Sequence, residues 1–293
     1  MSVVRERIKN NKGKICLIIS AFVYGLAPIL AKITYSGGTR AITLAFLRAS
    51  LTVPLLYILL KVNHVSLRLT KREIKSVVIL GTLGGAVPII FLYLSYRYIS
   101  TGLATTLHFI YPLIIVFASA FIYHEHIKRA TIIAAILVTV GIFMFVDINN
   151  VSDKIGIVFA TLSGIFYSFY VLYMDKSGLD SMDYVKLTFY TMLIISISTL
   201  AFGLVANGIS FDMTPKAWVY AFLISLLITL FAMPLFQAGV KYEGASTAGI
   251  ISTIEPITTI ILGGLFLGEV IGVMQYIGVI LILAGVTAVE IAR

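Results

Sequence analysis

The 293-residue chain has few charged residues and a single cysteine. Charged residues make up 12% of the chain, whereas soluble domains average roughly 25%. The lone Cys16 excludes a disulfide framework within the chain. Metalloprotease, zinc-cysteine, nucleotide-loop and serine-hydrolase motifs are all missing. The sequence therefore predicts no enzyme and no cofactor or metal site. Hydrophobic residues make up 59% and the mean hydropathy is +1.03, as expected for an integral membrane protein.

Ten apolar stretches are long enough to cross a bilayer, which takes about 20 residues in a helix. Their predicted bounds are 15–34, 41–60, 76–97, 102–123, 130–147, 155–174, 185–206, 216–239, 246–267 and 272–291. The segments between them are too short to hold a further domain. We therefore predict an all-α membrane protein in which ten transmembrane helices form one bundle.

Positive charge is concentrated in alternate loops. Five basic residues precede the first span and five more lie within 61–75, whereas the predicted outer segments hold Arg40, Arg97, Lys154 and Lys216. Because cytoplasmic loops carry the excess of lysine and arginine, both termini are predicted to be cytoplasmic, in a multi-pass protein of the cell membrane. The basic residues follow the loops and form no single patch, so no nucleic-acid partner is expected.

A stretch of thirty residues occurs twice, at 98–127 and at 242–271. A shift of 144 positions aligns Pro112 with Pro256, each near the middle of an apolar span. A proline inside a helix removes a backbone hydrogen bond and clashes with the carbonyl four residues earlier. Paired broken helices in corresponding halves indicate a transport site. Pro112 and Pro256 are therefore predicted to be helix breaks beside a cavity.

Weaker matches extend the repeat over both halves of the chain, so that each half holds five spans. Since five is odd, the second half must enter the membrane in the opposite orientation. The predicted domains are thus an N-terminal five-helix repeat at 1–148 and an inverted C-terminal repeat at 149–293. Inverted halves can expose one central site to either face by exchanging their conformations.

Several motifs recur in a fixed order along the chain. The first span reads AFVYGLAPILAKI, an aromatic residue followed by glycine and then by a lysine, and the second carries Arg48. Spans 4 and 9 have their prolines, and spans 5 and 10 have the late glycines Gly141 and Gly285. This order resembles the EamA type of the drug/metabolite transporter superfamily, except that Tyr24 stands where tryptophan is more usual. The likeness covers essentially the whole chain.

The resemblance implies two inverted repeats around a central cavity lined mainly by spans 1, 3, 4, 6, 8 and 9. It also implies export or import of small metabolites, without fixing the substrate.

Lys32 and Arg48 are cations inside predicted spans, where a charge costs about 2.5–3.5 kcal/mol at mid-bilayer. Lys32 either extends to the outer interface or attracts anionic groups into the cavity. Arg48 either bonds helix-end carbonyls or a neighbouring span, or contacts the substrate.

Glu255 precedes Pro256 near the centre of span 9. A carboxylate at that depth must be protonated, paired or hydrated. One interpretation makes it a proton carrier or the partner of a substrate ammonium group; the other makes it a protonated group that bonds the carbonyls freed by Pro256. The repeat aligns His108 with Ser252. His108 either titrates in the cavity or stays neutral and bonded to a neighbour.

Tyrosine is abundant, with 16 residues. Phenol rings offer apolar faces, hydroxyl hydrogen bonds and cation–π attraction. The alternative is an interfacial belt, which explains poorly the two tyrosines near mid-span, Tyr24 and Tyr167. The predicted substrate-binding set also includes Tyr93, Tyr96, Tyr170, Gln237 and Ser252.

These features predict a secondary transporter for small metabolites, with amino acids or related amines as the preferred class. An importer of cationic amines is one alternative. A flippase for lipid headgroups or carrier lipids is another, and it would need a groove open to the bilayer. The expected partners are a small-molecule substrate and the lipid bilayer, with protons if transport is coupled. The chain is expected to act as a monomer or a homodimer.

Overall fold

The computed structural model describes residues 11–95, 98–99, 101–144, 154–267 and 272–291. Within these residues, every regular element is helical. Eight helical segments are long and apolar enough to cross a membrane, and Arg129–Phe143 and Val273–Val289 are shorter apolar helices. Each of the ten predicted spans thus corresponds to a helical segment, which confirms the prediction of an all-α membrane protein.

We number the spans 1 to 10 in chain order. Their helices are Lys12–Tyr24 and Ala27–Ser36 in span 1, Ala41–Ser50 and Thr52–Val62 in span 2, Lys71–Ile79 and Val87–Ser95 in span 3, Thr101–His108 and Tyr111–Phe121 in span 4, Arg129–Phe143 in span 5, Lys154–Lys176 in span 6, Tyr184–Val205 in span 7, Pro215–Ile224 and Met233–Glu243 in span 8, Ala245–Ile251 and Ile254–Leu267 in span 9, and Val273–Ile291 in span 10. Spans 5, 6, 7 and 10 are single helices, whereas the other six are interrupted.

The interruptions of spans 3 and 8 are π-helical, at Leu80–Ala86 and Ser225–Ala232. They occupy equivalent places in the two halves, and a proline follows each of them, Pro88 and Pro234. Proline has no N–H to donate and collides with the carbonyl four residues back. The π-helical turns lie on the N-terminal side of these prolines, where the regular hydrogen-bond ladder would otherwise meet them.

Every span of the first half packs against a span of the second. Span 1 contacts span 8, span 2 contacts span 7, span 3 contacts span 6, span 4 contacts span 9, and span 5 contacts span 10. Exchanging the two halves interchanges the pair formed by spans 1 and 8 with the pair formed by spans 3 and 6. The remaining three pairs are unchanged. This is the pattern that two inverted repeats around a shared axis produce, so the predicted architecture is confirmed.

The contact between spans 5 and 10 explains the two late glycines. A Cβ atom added at Gly141 would lie 2.7 Å from the Gly278 carbonyl oxygen, and one added at Gly285 would lie 2.9 Å from the Ala134 carbonyl oxygen. Any larger residue would therefore separate the two helices.

We call the end of the bundle where span 1 begins the N-terminal face. The largest core cluster of the described residues lies mainly toward this face. It includes Leu17 of span 1, Ile115 of span 4, Met174 of span 6 and Val240 of span 8. Its members lie mainly between the centre of the bundle and the N-terminal face.

Candidate binding site at the helix breaks

Three spans are broken near the middle of the bundle. The breaks are at residues 25–26 of span 1, 109–110 of span 4 and 252–253 of span 9. The Thr259 hydroxyl of span 9 donates to the Gly25 carbonyl at 3.1 Å. The side chains of Tyr111 and Ser252 are hydrogen-bonded to each other. The break of span 9 is therefore linked directly to those of spans 1 and 4, and the three breaks form one centre.

Pro256 frees the carbonyl of Ser252, four residues back. That carbonyl accepts a hydrogen bond from the Glu255 backbone N–H at 2.9 Å. The backbone of residue 255 therefore provides a partner that a buried carbonyl needs in a membrane protein. The Glu255 carboxylate is not required for this purpose.

The break in span 4 depends on close contact with span 6. A Cβ atom added at Gly164 of span 6 would lie 2.6 Å from the His108 carbonyl oxygen, the carbonyl that Pro112 frees. Only glycine lets span 6 approach the break this closely.

Aromatic rings from spans 4 and 6 gather beside this break. The ring of Tyr167 lies 5.2 Å from His108, 4.8 Å from Tyr111 and 5.7 Å from Tyr170, measured between centroids. Tyr111 and Tyr170 are buried, whereas His108 and Tyr167 remain partly accessible. The cluster therefore has two partly accessible members, His108 and Tyr167, packed against two buried phenols.

Glu255 is the acidic group of this centre and is half-buried. It lies in the first turn of the helix Ile254–Leu267, where the helix dipole favours negative charge. It interacts electrostatically with Arg48 of span 2 and with the phenols of Tyr24, Tyr111 and Tyr167. A carboxylate, a guanidinium group and several phenols thus surround one region. Such a set can pair with an ammonium group, a carboxylate and an apolar side chain.

Gln237 and Tyr170 belong to a buried network. The Thr188 hydroxyl donates to Gln237 Oε1 at 2.8 Å, and Gln237 Nε2 donates to the Tyr170 hydroxyl at 3.0 Å. All three side chains are buried. Their contacts hold spans 6, 7 and 8 together behind Tyr167, so they support the centre. A direct contact between either residue and a substrate stays a prediction.

Two further predicted residues, Lys32 and Tyr93, lie near the ends of their spans. Lys32 is exposed, four residues before the end of span 1. Tyr93 is half-buried, two residues before the end of span 3. Tyr96 is outside the described residues. The structure thus brings together Tyr24, Arg48, His108, Tyr167, Tyr170, Gln237, Ser252 and Glu255.

Two residues of the centre are not among those selected from the sequence. Tyr111 aligns with Glu255 in the repeat and precedes Pro112 as Glu255 precedes Pro256, a signal that was available in the sequence. Ser163 contacts His108, and its spacing of four and seven residues from Tyr167 and Tyr170 placed it on their helix face. The structure adds both residues to the site.

A separate pocket of about 350 Å³ opens at the N-terminal face. Its charged lining includes the ammonium group of Lys176, which pairs with the carboxylate of Glu125, between spans 4 and 5, and, at 2.7 Å, with Asp175. Deeper in the bundle, spans 4 and 9 touch at Ile115 and Gly249. This contact lies between the pocket and the central site.

Two stretches of the chain, residues 11–147 and 154–290, match the EamA-like transporter family. The chain belongs to this family. Similar proteins include uncharacterized transporters of Synechocystis sp. (28% identical, covering 66% of this chain and 60% of the relative) and Clostridium kluyveri (23%, covering 94% and 92%). The uncharacterized transporter YcbK of Bacillus subtilis is 24% identical over 91% of this chain and 88% of its own.

The match with the Synechocystis relative spans less than two thirds of that protein, as does the match with an uncharacterized transporter of Archaeoglobus fulgidus, at 57%. The fold is also similar to a crystal structure with a TM-score of 0.83, at 15% identity over 96% of this chain and 99% of the other. At that identity the likeness shows the fold alone. The EamA family and the fold agree with the resemblance seen in the sequence motifs.

Proposed function

We propose that this EamA-family protein is a secondary transporter that moves small metabolites across the cell membrane, with amino acids or related amines as its substrates. The observation that carries the proposal is the convergence of Glu255, Arg48 and the tyrosines at the three helix breaks. An amino acid presents an ammonium group to Glu255 and a carboxylate to Arg48, both as charge-assisted hydrogen bonds. The phenol faces of Tyr24 and Tyr167 cover its apolar part.

We propose that transport proceeds by alternating access between two halves, with the boundary between residues 148 and 149. The first half supplies the broken spans 1 and 4 to the centre, and the second half supplies span 9. Exchange of the conformations of the two halves opens the centre first to one side and then to the other. Protons couple to the cycle if Glu255 releases its proton on one side and regains it on the other.

We further propose that both termini face the cytoplasm of the cell, since cytoplasmic loops of membrane proteins carry the excess of basic residues. The pocket at the N-terminal face then belongs to the cytoplasmic side.

The proposed function is tested with the purified protein. A thermal-shift screen against amino acids and amines identifies the binding class, because a ligand at 100 times its Kd stabilises the folded state by about 2.7 kcal/mol. Uptake of the radiolabelled hit into proteoliposomes then measures flux. Flux of a zwitterionic amino acid supports the proposal, and flux of cationic amines alone supports an amine importer.

Two other outcomes would contradict the proposed function. Translocation of labelled lipid without flux of any soluble metabolite would identify a flippase. Product formation from a substrate in the absence of a gradient would identify an enzyme.

A further inference from the structure

A hydrogen-bonded chain joins three spans behind the aromatic cluster. The Ser163 hydroxyl of span 6 lies 2.7 Å from the carbonyl oxygen of Pro88 in span 3. The same hydroxyl lies 2.8 Å from Nδ1 of His108 in span 4. Ser163 is fully buried, so water does not compete for these bonds.

The chain has one consistent arrangement of protons. The Pro88 carbonyl can only accept a hydrogen bond, so Ser163 donates its single hydroxyl proton to it. The Ser163 oxygen must then accept at its second bond, and Nδ1 of His108 carries the hydrogen that it donates. A neutral imidazole has a proton on only one nitrogen. Nε2 of neutral His108 is therefore a hydrogen-bond acceptor.

We propose that Ser163 is a positioning residue, which fixes His108 as the Nδ1–H tautomer so that Nε2 accepts a hydrogen bond from the substrate. The His108 ring is partly accessible beside Tyr167, and Glu255 adds a second acceptor to the same centre. A site with two acceptors favours an ammonium group that has N–H donors over a quaternary ammonium group, which has none. The proposal that the ligand is an ammonium group rests on the proposed transport function. The proposal that His108 is the Nδ1–H tautomer does not rest on it.

The other half of the protein does not repeat this chain. The repeat aligns Ser163 with Ser20 and His108 with Ser252. Ser20 donates to the Leu17 carbonyl at 2.9 Å, within its own span. Ser252 likewise donates within its own span, to a carbonyl four residues back at 2.6 Å. Ser252 also bonds Tyr111 of span 4, but neither serine of the second set donates its proton to another span. The repeat fold therefore does not require a serine that donates between spans, as Ser163 does. We assign the hydrogen-bonded chain from Pro88 through Ser163 to His108 to the binding site.

The tautomer is measured by nitrogen NMR on protein labelled with ¹⁵N-histidine. The sequence has four histidines, and the signals that disappear in His108→Gln belong to His108. At a pH where the ring is neutral, we expect a protonated Nδ1 and an unprotonated Nε2 in the wild type. A protonated Nε2 in the wild type would overturn the proposal without any need for a variant.

Two variants and one control separate positioning from a general structural role. Ser163→Ala removes the acceptor for Nδ1–H, so both tautomers of His108 should be populated. Ser163→Thr keeps the hydroxyl and should restore the wild-type signals. Ser20→Ala removes the equivalent serine of the other half and should leave the His108 signals unchanged. A single Nδ1–H tautomer in folded Ser163→Ala would show that Ser163 does not set it.

The ligand preference is measured with phenethylammonium and its N,N,N-trimethyl analogue, by the shift in unfolding temperature over a concentration series. We expect the primary ammonium to bind more tightly to the wild type. Since one net hydrogen bond corresponds to about 2- to 13-fold in affinity, the preference should fall by a factor in that range in Ser163→Ala. Equal affinity of the two probes would overturn the acceptor role of Nε2 and leave the proposed substrate class intact. Binding of neither probe would overturn both, and the Nδ1–H tautomer is then judged by the nitrogen signals alone.

Discussion

The exchange of Glu255 for glutamine is the most direct test of the proposed site. The substitution keeps the size of the side chain and one acceptor oxygen but removes the charge that interacts with Arg48 and the nearby phenols. A hydrogen bond to a charged partner contributes about 1.5–3 kcal/mol. If the carboxylate pairs with a substrate ammonium group, Glu255→Gln should weaken substrate binding by about 10- to 150-fold.

The fold itself should tolerate this change. The Ser252 carbonyl is bonded by the backbone N–H of residue 255, which glutamine retains. The Thr259 hydroxyl lies 3.1 Å from both the residue 255 carbonyl and the Gly25 carbonyl and shares its one proton between them, and the substitution does not change these backbone acceptors. We therefore expect near-normal expression and a free energy of unfolding within about 1 kcal/mol of the wild type, as for substitutions that break none of the principal contacts.

The assay is accumulation of the substrate in proteoliposomes with an imposed pH gradient, followed by exchange of labelled for unlabelled substrate without a gradient. Glu255→Gln should abolish accumulation, and exchange should survive only if proton coupling is the sole task of Glu255. Glu243→Gln, at the end of span 8, is the matched control and should accumulate substrate normally. Full accumulation by Glu255→Gln would refute the reasoning and remove Glu255 from the site.

Three further predictions concern the breaks, the buried network and the orientation. Pro112→Ala and Pro256→Ala should fold and show altered flux in proteoliposomes, because the breaks shape the centre; wild-type rates in both would make the breaks incidental. Gln237→Leu leaves the Tyr170 hydroxyl without its donor and should cost about 1–3 kcal/mol, seen as a lower unfolding temperature; an unchanged temperature would argue against the network. Leu69→Cys, in a chain lacking its native cysteine, should resist an impermeant thiol reagent added outside intact cells, and rapid labelling would reverse the proposed topology.

The sequence predicts the architecture well because membrane insertion leaves few choices. Apolar length gives the spans, and an odd number of spans in each repeat gives the inversion. The breaks at Pro112 and Pro256 follow from the missing N–H of proline. The break at residues 25–26 and the two π-helical segments were not predicted, although Pro28, Pro88 and Pro234 follow them in the sequence. A proline can end a helix, kink it or be accommodated by a π-helical turn, and its position alone does not say which.

The site is predicted less completely, for a related reason. Glu255 and His108 are selected from the sequence because ionisable groups are rare at that depth in a membrane protein, and their role in binding stays a prediction. The bond between Ser163 and Pro88 depends on the register between spans 3 and 6. The sequence does not specify that register, because many apolar residues on both spans would pack equally well.

Span 6 is an unbroken helix of 23 residues, whereas its counterpart, span 1, is broken at residues 25–26. The two halves therefore differ in shape in this structure. Because their sequences also differ, the inward-facing and outward-facing forms of the proposed carrier are not equivalent. A substrate arriving from one side meets a different surface from a substrate arriving from the other, so half-saturation concentrations should differ between the two faces. At equal concentrations on both sides the two unidirectional fluxes must still balance, and a lower half-saturation concentration on one face is offset by a lower maximal rate from that face. The shape of the protein can set the rate of transport in each direction. Only a coupled gradient can set the direction in which the substrate is accumulated.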